Sequence, residues 1–178
     1  KPFNFSAQCN LAAKYAKGEL LLFLNDDICP VSDDWLQRML DALEPDLSGA
    51  RVLDLFAGTG AIGLEALSRG AASADFVETR PSSLHALRAN VALFRLRDRT
   101  RIFKRDALPF AGALDENSYG IAFADPPYGS RMLDRVLDAW REQRFSPVLA
   151  VEHAAAHDLP RPERRLVFAE TVVAIYRR

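Results

Sequence analysis

A chain of 178 residues, 49% hydrophobic and 26% charged, can bury one substantial core but is cramped for two full domains. Net charge is −1, yet within residues 1–50 Lys1, Lys14, Lys17 and Arg38 face eight acids, so the remainder is net basic and the two parts can differ in origin or partner. Cys9 and Cys29 stand without a Cys-x-x-Cys pair or a histidine cluster, which argues against a disulfide framework or a metal site, and no apolar run approaches a membrane span, so a reducing cytoplasm is expected.

The chain begins at Lys1 without methionine, as a fragment, a processed form or an engineered piece would. Residues 6–17 have helical composition, with Ala7, Leu11, Ala12 and Tyr15 on one side and Gly18 placed to stop the helix. Leu20-Leu21-Leu22-Phe23-Leu24 then reads as a strand buried on both faces, running into Asn25-Asp26-Asp27. Ser32 can cap a second helix, Asp33 and Asp34 suit its positive end, and Trp35, Leu36, Met39, Leu40 and Leu43 form its buried stripe, with Pro45 as its end.

From Pro45-Asp46-Leu47-Ser48-Gly49 onward, strands alternate with helices as in a doubly wound α/β sheet. Residues 51–55 are a strand, Ala57-Gly58-Thr59-Gly60 a small-residue turn, and Ile62, Leu64, Ala66 and Leu67 the start of a helix. Gly58 and Gly60 let the backbone turn sharply and approach a ligand without a Cβ in the way, and the helix start directs unpaired N–H groups into the same space. Asp75-Phe76-Val77-Glu78 ends in a carboxylate 20 positions after Gly58, a spacing that suits a ribose hydroxyl; a surface glutamate at a strand end is the alternative.

Pro81 suits the next helix start, with Leu84, Leu87, Val91 and Phe94 on one face. Residues 101–104 form the third strand, ending at Asp106, and Ile121-Ala122-Phe123-Ala124 the fourth, delivering Asp125-Pro126-Pro127-Tyr128 at its carboxyl end. A helix burying Met132, Leu133, Val136, Leu137 and Trp140 precedes a fifth strand at residues 148–151, and residues 166–169 and 172–176 close the fold as an antiparallel hairpin.

Asp54, Glu78, Asp106 and Asp125 are thereby expected on one sheet edge, the edge where ligands bind in parallel sheets. Glycines Gly58, Gly60 and Gly63 fit the dinucleotide spacing, which keeps a dehydrogenase as a rival. Asp125-Pro126-Pro127-Tyr128 favours another chemistry. Its prolines remove two donors and leave the Asp125 side chain and the Pro126 carbonyl as acceptors for an amine, while Tyr128 can stack on a base. A rigid turn after a strand is the plainer account of Pro-Pro.

Two resemblances follow from these residues. Asn4-Phe5-Ser6 through Asn10, the run from Gly18 to Asp27 and Trp35-Leu36 resemble the middle of a family 2 glycosyltransferase, in which the paired acids help hold a metal and a nucleotide diphosphate. That likeness spans about the first quarter of the chain and lacks the uridine pocket and catalytic base, so Asp26 and Asp27 read either as a sugar-nucleotide site or as a solvated strand end. Residues 47–178 resemble the bacterial small-subunit ribosomal RNA guanine-N2 methyltransferases, a class I S-adenosylmethionine-dependent family. The motifs are Asp54-Leu55-Phe56-Ala57-Gly58-Thr59-Gly60 with residues 63–71, Val77-Glu78, Asn90, Asp106-Ala107-Leu108, Asp125-Pro126-Pro127-Tyr128 and Val151-Glu152-His153.

The second resemblance implies a Rossmann-like, mostly parallel sheet with a C-terminal antiparallel hairpin. Asp54, Phe56, Gly58, Gly60, Glu78 and Asp106 would bind S-adenosylmethionine, Asp125, Pro126, Pro127 and Tyr128 would hold the guanine amine, and no metal is called for. It also implies ribosomal RNA or the small subunit as partner. Family members begin with a basic β-hairpin that grips RNA, followed by a covering helix that Pro30, Ser32 and Asp33 match. Here residues 1–44 stand in place of that hairpin before a methyltransferase domain at 45–178, so the chain reads as a chimera. It is expected to methylate the N2 amine of a guanine in small-subunit ribosomal RNA, or alternatively to bind cofactor without RNA. The run Arg95, Arg97, Arg99, Arg101, Lys104 and Arg105 can meet phosphates or be a solvated surface. His85, His153 and His157 have no metal-like spacing and carry no assigned role.

Overall fold

A computed structural model describes residues 35–127, 131–168 and 171–178. The expectations for residues 1–34, including the first helix and strand and Asp26-Asp27, lie outside the described residues, as does Tyr128. Seven strands form one sheet: β1 (Arg51–Leu55), β2 (Ser73–Glu78), β3 (Thr100–Lys104), β4 (Ile121–Ala124), β5 (Val148–Ala154), β6 (Arg164–Phe168) and β7 (Thr171–Arg177). Their order is β3-β2-β1-β4-β5-β7-β6. The first five run parallel, and β7 pairs antiparallel with both β5 and β6. This is the α/β arrangement expected from the alternation of strands and helices, with its closing hairpin.

Continuous burial along β1, β2 and β4 demands cover on both sides, and the helices supply it. α1 (Trp35–Asp41), α2 (Glu44–Leu47), α3 (Ala61–Ser68) and α4 (Pro81–Leu93) pack one face, where Leu40, Leu43, Leu47, Leu67 and Leu87 meet Val52, Phe76, Ile121 and Phe123. α5 (Ala107–Ala111) and α6 (Met132–Gln143) pack the other, where Val136, Leu137 and Trp140 meet Leu53, Val77, Leu149 and Val151. The Trp140 Nε1–H is satisfied by the Ser146 carbonyl at 2.8 Å.

One boundary differs from the sequence reading. Leu36, Met39, Leu40 and Leu43 are buried as expected, but Pro45 does not end their helix. α1 stops at Asp41, and Pro45 lies in the first turn of α2, where a missing N–H costs no helical hydrogen bond. Met132 is only half-buried, and β5 runs on through His153 to Ala154, further than its apolar core predicts.

Connections from β1 lead outward through β2 and β3, whereas β4 returns to the other flank of β1. The loops after β1 and β4 therefore diverge, opening a crevice at the carboxyl ends of two neighbouring strands.

Candidate active site

The loop after β1 is built from backbone conformations that few residues adopt together. Phe56, Gly58 and Gly60 have φ of 61°, 54° and 86°. Glycine meets that demand freely at two positions, while Phe56 holds a left-handed conformation that side chains disfavour, as strained loops at functional sites often do. Ala57 N–H donates to the Val77 carbonyl at 3.0 Å and Gly60 N–H to the Ala57 carbonyl at 2.7 Å, fastening the loop against β2.

Glu78, the last residue of β2, is the centre of this arrangement. Its Oε2 accepts from Gly58 N–H at 2.9 Å, and its Oε1 accepts from Thr79 N–H at 2.7 Å and Arg80 N–H at 2.8 Å. It is buried, although the turn around it is exposed at Thr79 and Arg80. A carboxylate has about four lone-pair positions, so three backbone donors leave room for roughly one more, on Oε2. Beside it, a Cβ added to Gly58 would meet nothing within 4 Å. The loop therefore leaves open space at Gly58, whose N–H the same acid binds.

Asp54 takes a different part. It lies on β1 in register with Phe76 and Phe123 and is fully buried, with Oδ2 accepting from Gly63 N–H at 3.0 Å. It thus anchors the first turn of α3. Burial, opposed by that bond and reinforced by the charge of Glu78, pushes its pKa up to about 7. Gly63 is needed for a steric reason, because a Cβ there would fall 2.4 Å from Cε1 and 2.9 Å from Cζ of the buried Phe76 ring. The third glycine of the fingerprint thus brings α3 onto the sheet.

Asp106 lies two residues beyond β3 as the cap of α5, one carboxylate oxygen accepting from Leu108 N–H at 3.0 Å. Asp125 is half-buried directly after β4, Pro126 is buried and Pro127 exposed. Because Ala124 pairs with Leu55, the Asp125-Pro126-Pro127 segment leaves the sheet beside the Phe56 loop. Asp54, Glu78, Asp106 and Asp125 all belong to the carboxyl ends of adjacent strands, with Asp54 turned inward toward α3.

Asn90, part of the sequence motif, ties two elements of the site together. Its Nδ2 donates to the Thr59 carbonyl at 3.0 Å, in a buried setting, tying the glycine turn to α4. The signal was an amide on an apolar helix face, between Leu87 and Val91. The arginine run divides. Arg99 donates to the carbonyls of Leu67, Ala71 and Ala72, and Arg101 pairs with buried Asp75, which Arg51 and the Tyr119 hydroxyl also engage. Those two guanidiniums brace the fold although both residues are exposed, as are Arg95, Arg97, Lys104 and Arg105.

The arrangement can hold a nucleoside-bearing cofactor against the loop and β2, and present acceptors to an amine at β4. Among the described residues no helix is long and apolar enough to cross a membrane.

Known proteins share this fold. Residues 11–169 match the family described as Conserved hypothetical protein 95. The Ribosomal RNA small subunit methyltransferase D of Escherichia coli K12 is 30% identical over 134 residues, covering 74% of this chain and 67% of that one. The solved structure of Escherichia coli yhhF, 28% identical, superposes with a TM-score of 0.77 over 88% of this chain and 91% of that chain. An RNA methyltransferase from Salinibacter ruber, solved with S-adenosyl-L-homocysteine, shares the fold at 16% identity, with a TM-score of 0.65 over 84% of this chain and 93% of that one. A shorter match, 47% identical over 49 residues, joins 28% of this chain to 4% of the O-antigen biosynthesis protein RfbC of Myxococcus xanthus.

Proposed function

The chain belongs to the Conserved hypothetical protein 95 family, and from its site and its relatives we propose that it is an S-adenosylmethionine-dependent methyltransferase acting on the exocyclic N2 amine of a guanine in small-subunit ribosomal RNA. The observation that carries the reading is the pairing of two features at one switch point. A glycine loop is bonded to a strand-end glutamate, and the Asp125-Pro126-Pro127 acceptor segment stands on the neighbouring strand. The likeness to the Escherichia coli small-subunit methyltransferase supports the substrate class.

The residues present fit the cofactor on structural grounds. Gly58 offers backbone with open space where a Cβ would sit, and Glu78 keeps acceptor capacity for a ribose hydroxyl. Asp106 can accept from the adenine amine with the oxygen not used in capping. When bound, S-adenosylmethionine supplies a methyl group made electrophilic by the sulfonium.

The chain's own task is to make a poor nucleophile competent. The lone pair of a guanine amine is delocalised into the ring, and acceptors at its hydrogens favour turning that pair out of conjugation. Asp125 and the Pro126 carbonyl are the groups for this, held by a segment whose two prolines restrict the backbone. The bound cofactor would supply its methyl group to the amine nitrogen, the electron pair of the C–S bond leaving with sulfur and the amine proton passing to solvent. Tyr128 is assigned to stacking on the base, and Asp54 to holding α3 against the loop rather than to ligand contact.

Incubation with tritiated S-adenosylmethionine and under-methylated small subunits, followed by nucleoside analysis, tests the reading. It expects label in N2-methylguanosine. Label in another position of the base, or no label from a chain that binds cofactor, contradicts it.

The short match to RfbC favours a second reading, a chimera whose amino segment replaces an RNA-gripping hairpin and which binds cofactor without RNA. Against a boundary at residue 44, α1 shares one hydrophobic core with the sheet, and the family match begins at residue 11. The same label experiment separates the readings.

A further inference from the structure

A cavity of about 340 Å³ opens where the end of β5 meets residues 155–162 and the β6–β7 hairpin. It lies outside the glycine loop and the strand-end acids, and its walls include His153, His157, Arg165 and Tyr176 beside Leu159 and Pro162. Its volume is at the small end of pockets that take organic ligands.

Its position follows from register. β5 runs parallel to β4 with Ala124 opposite Val151, so His153 stands one residue past the level at which β4 delivers Asp125. On the other side, His157 Nε2 lies 3.7 Å from Oδ2 of Asp134 in the first turn of α6, the helix that follows the acceptor segment. The cavity is therefore one strand along from the amine site, on the same sheet edge.

Its lining is mixed, with imidazole and phenol rings, the Arg165 cation and the exposed Asp158 carboxylate. His153 Nδ1 lies 2.9 Å from the Ala154 carbonyl, and since a carbonyl only accepts, that nitrogen carries the proton. Burial first, and then the nearby His157 and Arg165, hold this imidazole below its ordinary pKa, so the ring is neutral at pH 7 and Nε2 is an acceptor. The two imidazoles stand edge to face, with centroids 6.1 Å apart. The Tyr176 hydroxyl donates to the Pro160 carbonyl at 2.7 Å, fixing the loop that forms one wall. Arg165 is exposed at the rim and, among the described residues, forms no ion pair. Flat rings, an acceptor and a rim cation are the means by which proteins take an unpaired base and its phosphate from single-stranded RNA.

We propose that this cavity is a second nucleotide subsite, taking the base of a ribonucleotide that flanks the target guanine in an unpaired stretch, with Arg165 at its phosphate. The proposal rests on the reading of RNA as substrate and adds to it a determinant of sequence context.

The test measures binding of a short, labelled, single-stranded ribo-oligonucleotide containing one guanosine to the full chain saturated with S-adenosylhomocysteine. Ala156→Trp fills the cavity from an exposed position, and Arg165→Ala removes the rim charge. Ala156→Trp is expected to weaken binding by about tenfold or more, with the salt dependence unchanged. Arg165→Ala is expected to weaken binding and to reduce the slope of log affinity against log salt by about one. Both should keep wild-type affinity for S-adenosylmethionine, which also reports that they fold.

Unchanged oligonucleotide affinity in both variants overturns the subsite, as does failure of the cofactor-bound wild type to bind the oligonucleotide. If cavity-dependent binding is found without methyl transfer, the catalytic reading falls and the subsite stands. If transfer proceeds with the same KM for RNA in wild type and both variants, the subsite falls and the catalytic reading stands.

Discussion

Gly58 donates its backbone N–H to Oε2 of Glu78 at 2.9 Å, joining the glycine loop to a strand-end acid 20 residues away. Replacing Glu78 with alanine strips acceptors from Gly58, Thr79 and Arg80 together and removes the group assigned to the ribose. Calorimetric titration with S-adenosylmethionine should show affinity lower by about tenfold or more, alongside a stability loss of about 1–3 kcal/mol. Wild-type affinity in Glu78→Ala would remove Glu78 from the cofactor site.

Gly63 and Gly58 predict opposite signatures for the same substitution. Gly63→Ala drives a methyl into the Phe76 ring, so thermal unfolding should show a loss of about 1–3 kcal/mol. A Phe76→Leu change should recover part of it in a double-mutant cycle. Gly58→Ala meets no atom within 4 Å and costs about 1–2 kcal/mol through its φ of 54°, while obstructing the ligand's approach. Its larger effect should appear in cofactor affinity. Equal destabilisation with no change in affinity would refute the distinction.

Asp54 makes a pH prediction whose sign is unusual for a carboxylate. Its pKa is raised from 3.8 to about 7 by burial, so the folded chain holds a proton that the unfolded chain releases between those values. Its contribution therefore favours folding at low pH, declines as pH rises from about 4, and is lost above about 7. Asp54→Asn keeps an acceptor for Gly63 N–H without the ionisation. Urea unfolding should find the variant more stable relative to wild type at pH 8 than at pH 5, by a few kcal/mol, roughly. A difference independent of pH would contradict the assignment.

The sheet was legible because periodicity and strand-end acids carry information along one strand at a time. Asp54, Glu78, Asp106 and Asp125 could be placed on one edge from spacing alone, since parallel strands bring equivalent ends together. Roles decided across the sheet were not legible. Asp54 looks like a ligand acid in sequence, yet alternation along β1 turns it toward α3, where Gly63 meets it. Pro45 was read as a stop, although proline suits a first helical turn equally well, and only the break after Asp41 distinguishes the two. Arg99 and Arg101 read in sequence as phosphate ligands or as a solvated surface, whereas carbonyls and Asp75 hold them. The cavity at His153 had no linear signature, because Arg165 and Tyr176 reach it only through the hairpin.

The most direct test of methyl transfer at the β4 loop is a paired measurement on Asp125→Ala, combining label transfer from S-adenosylmethionine to under-methylated small subunits with calorimetric affinity for the same cofactor. Loss of transfer by about a hundredfold or more, with cofactor affinity at the wild-type value, is the predicted result. Transfer at the wild-type rate, or loss of transfer accompanied by an equal loss of cofactor affinity, would contradict the role given to Asp125.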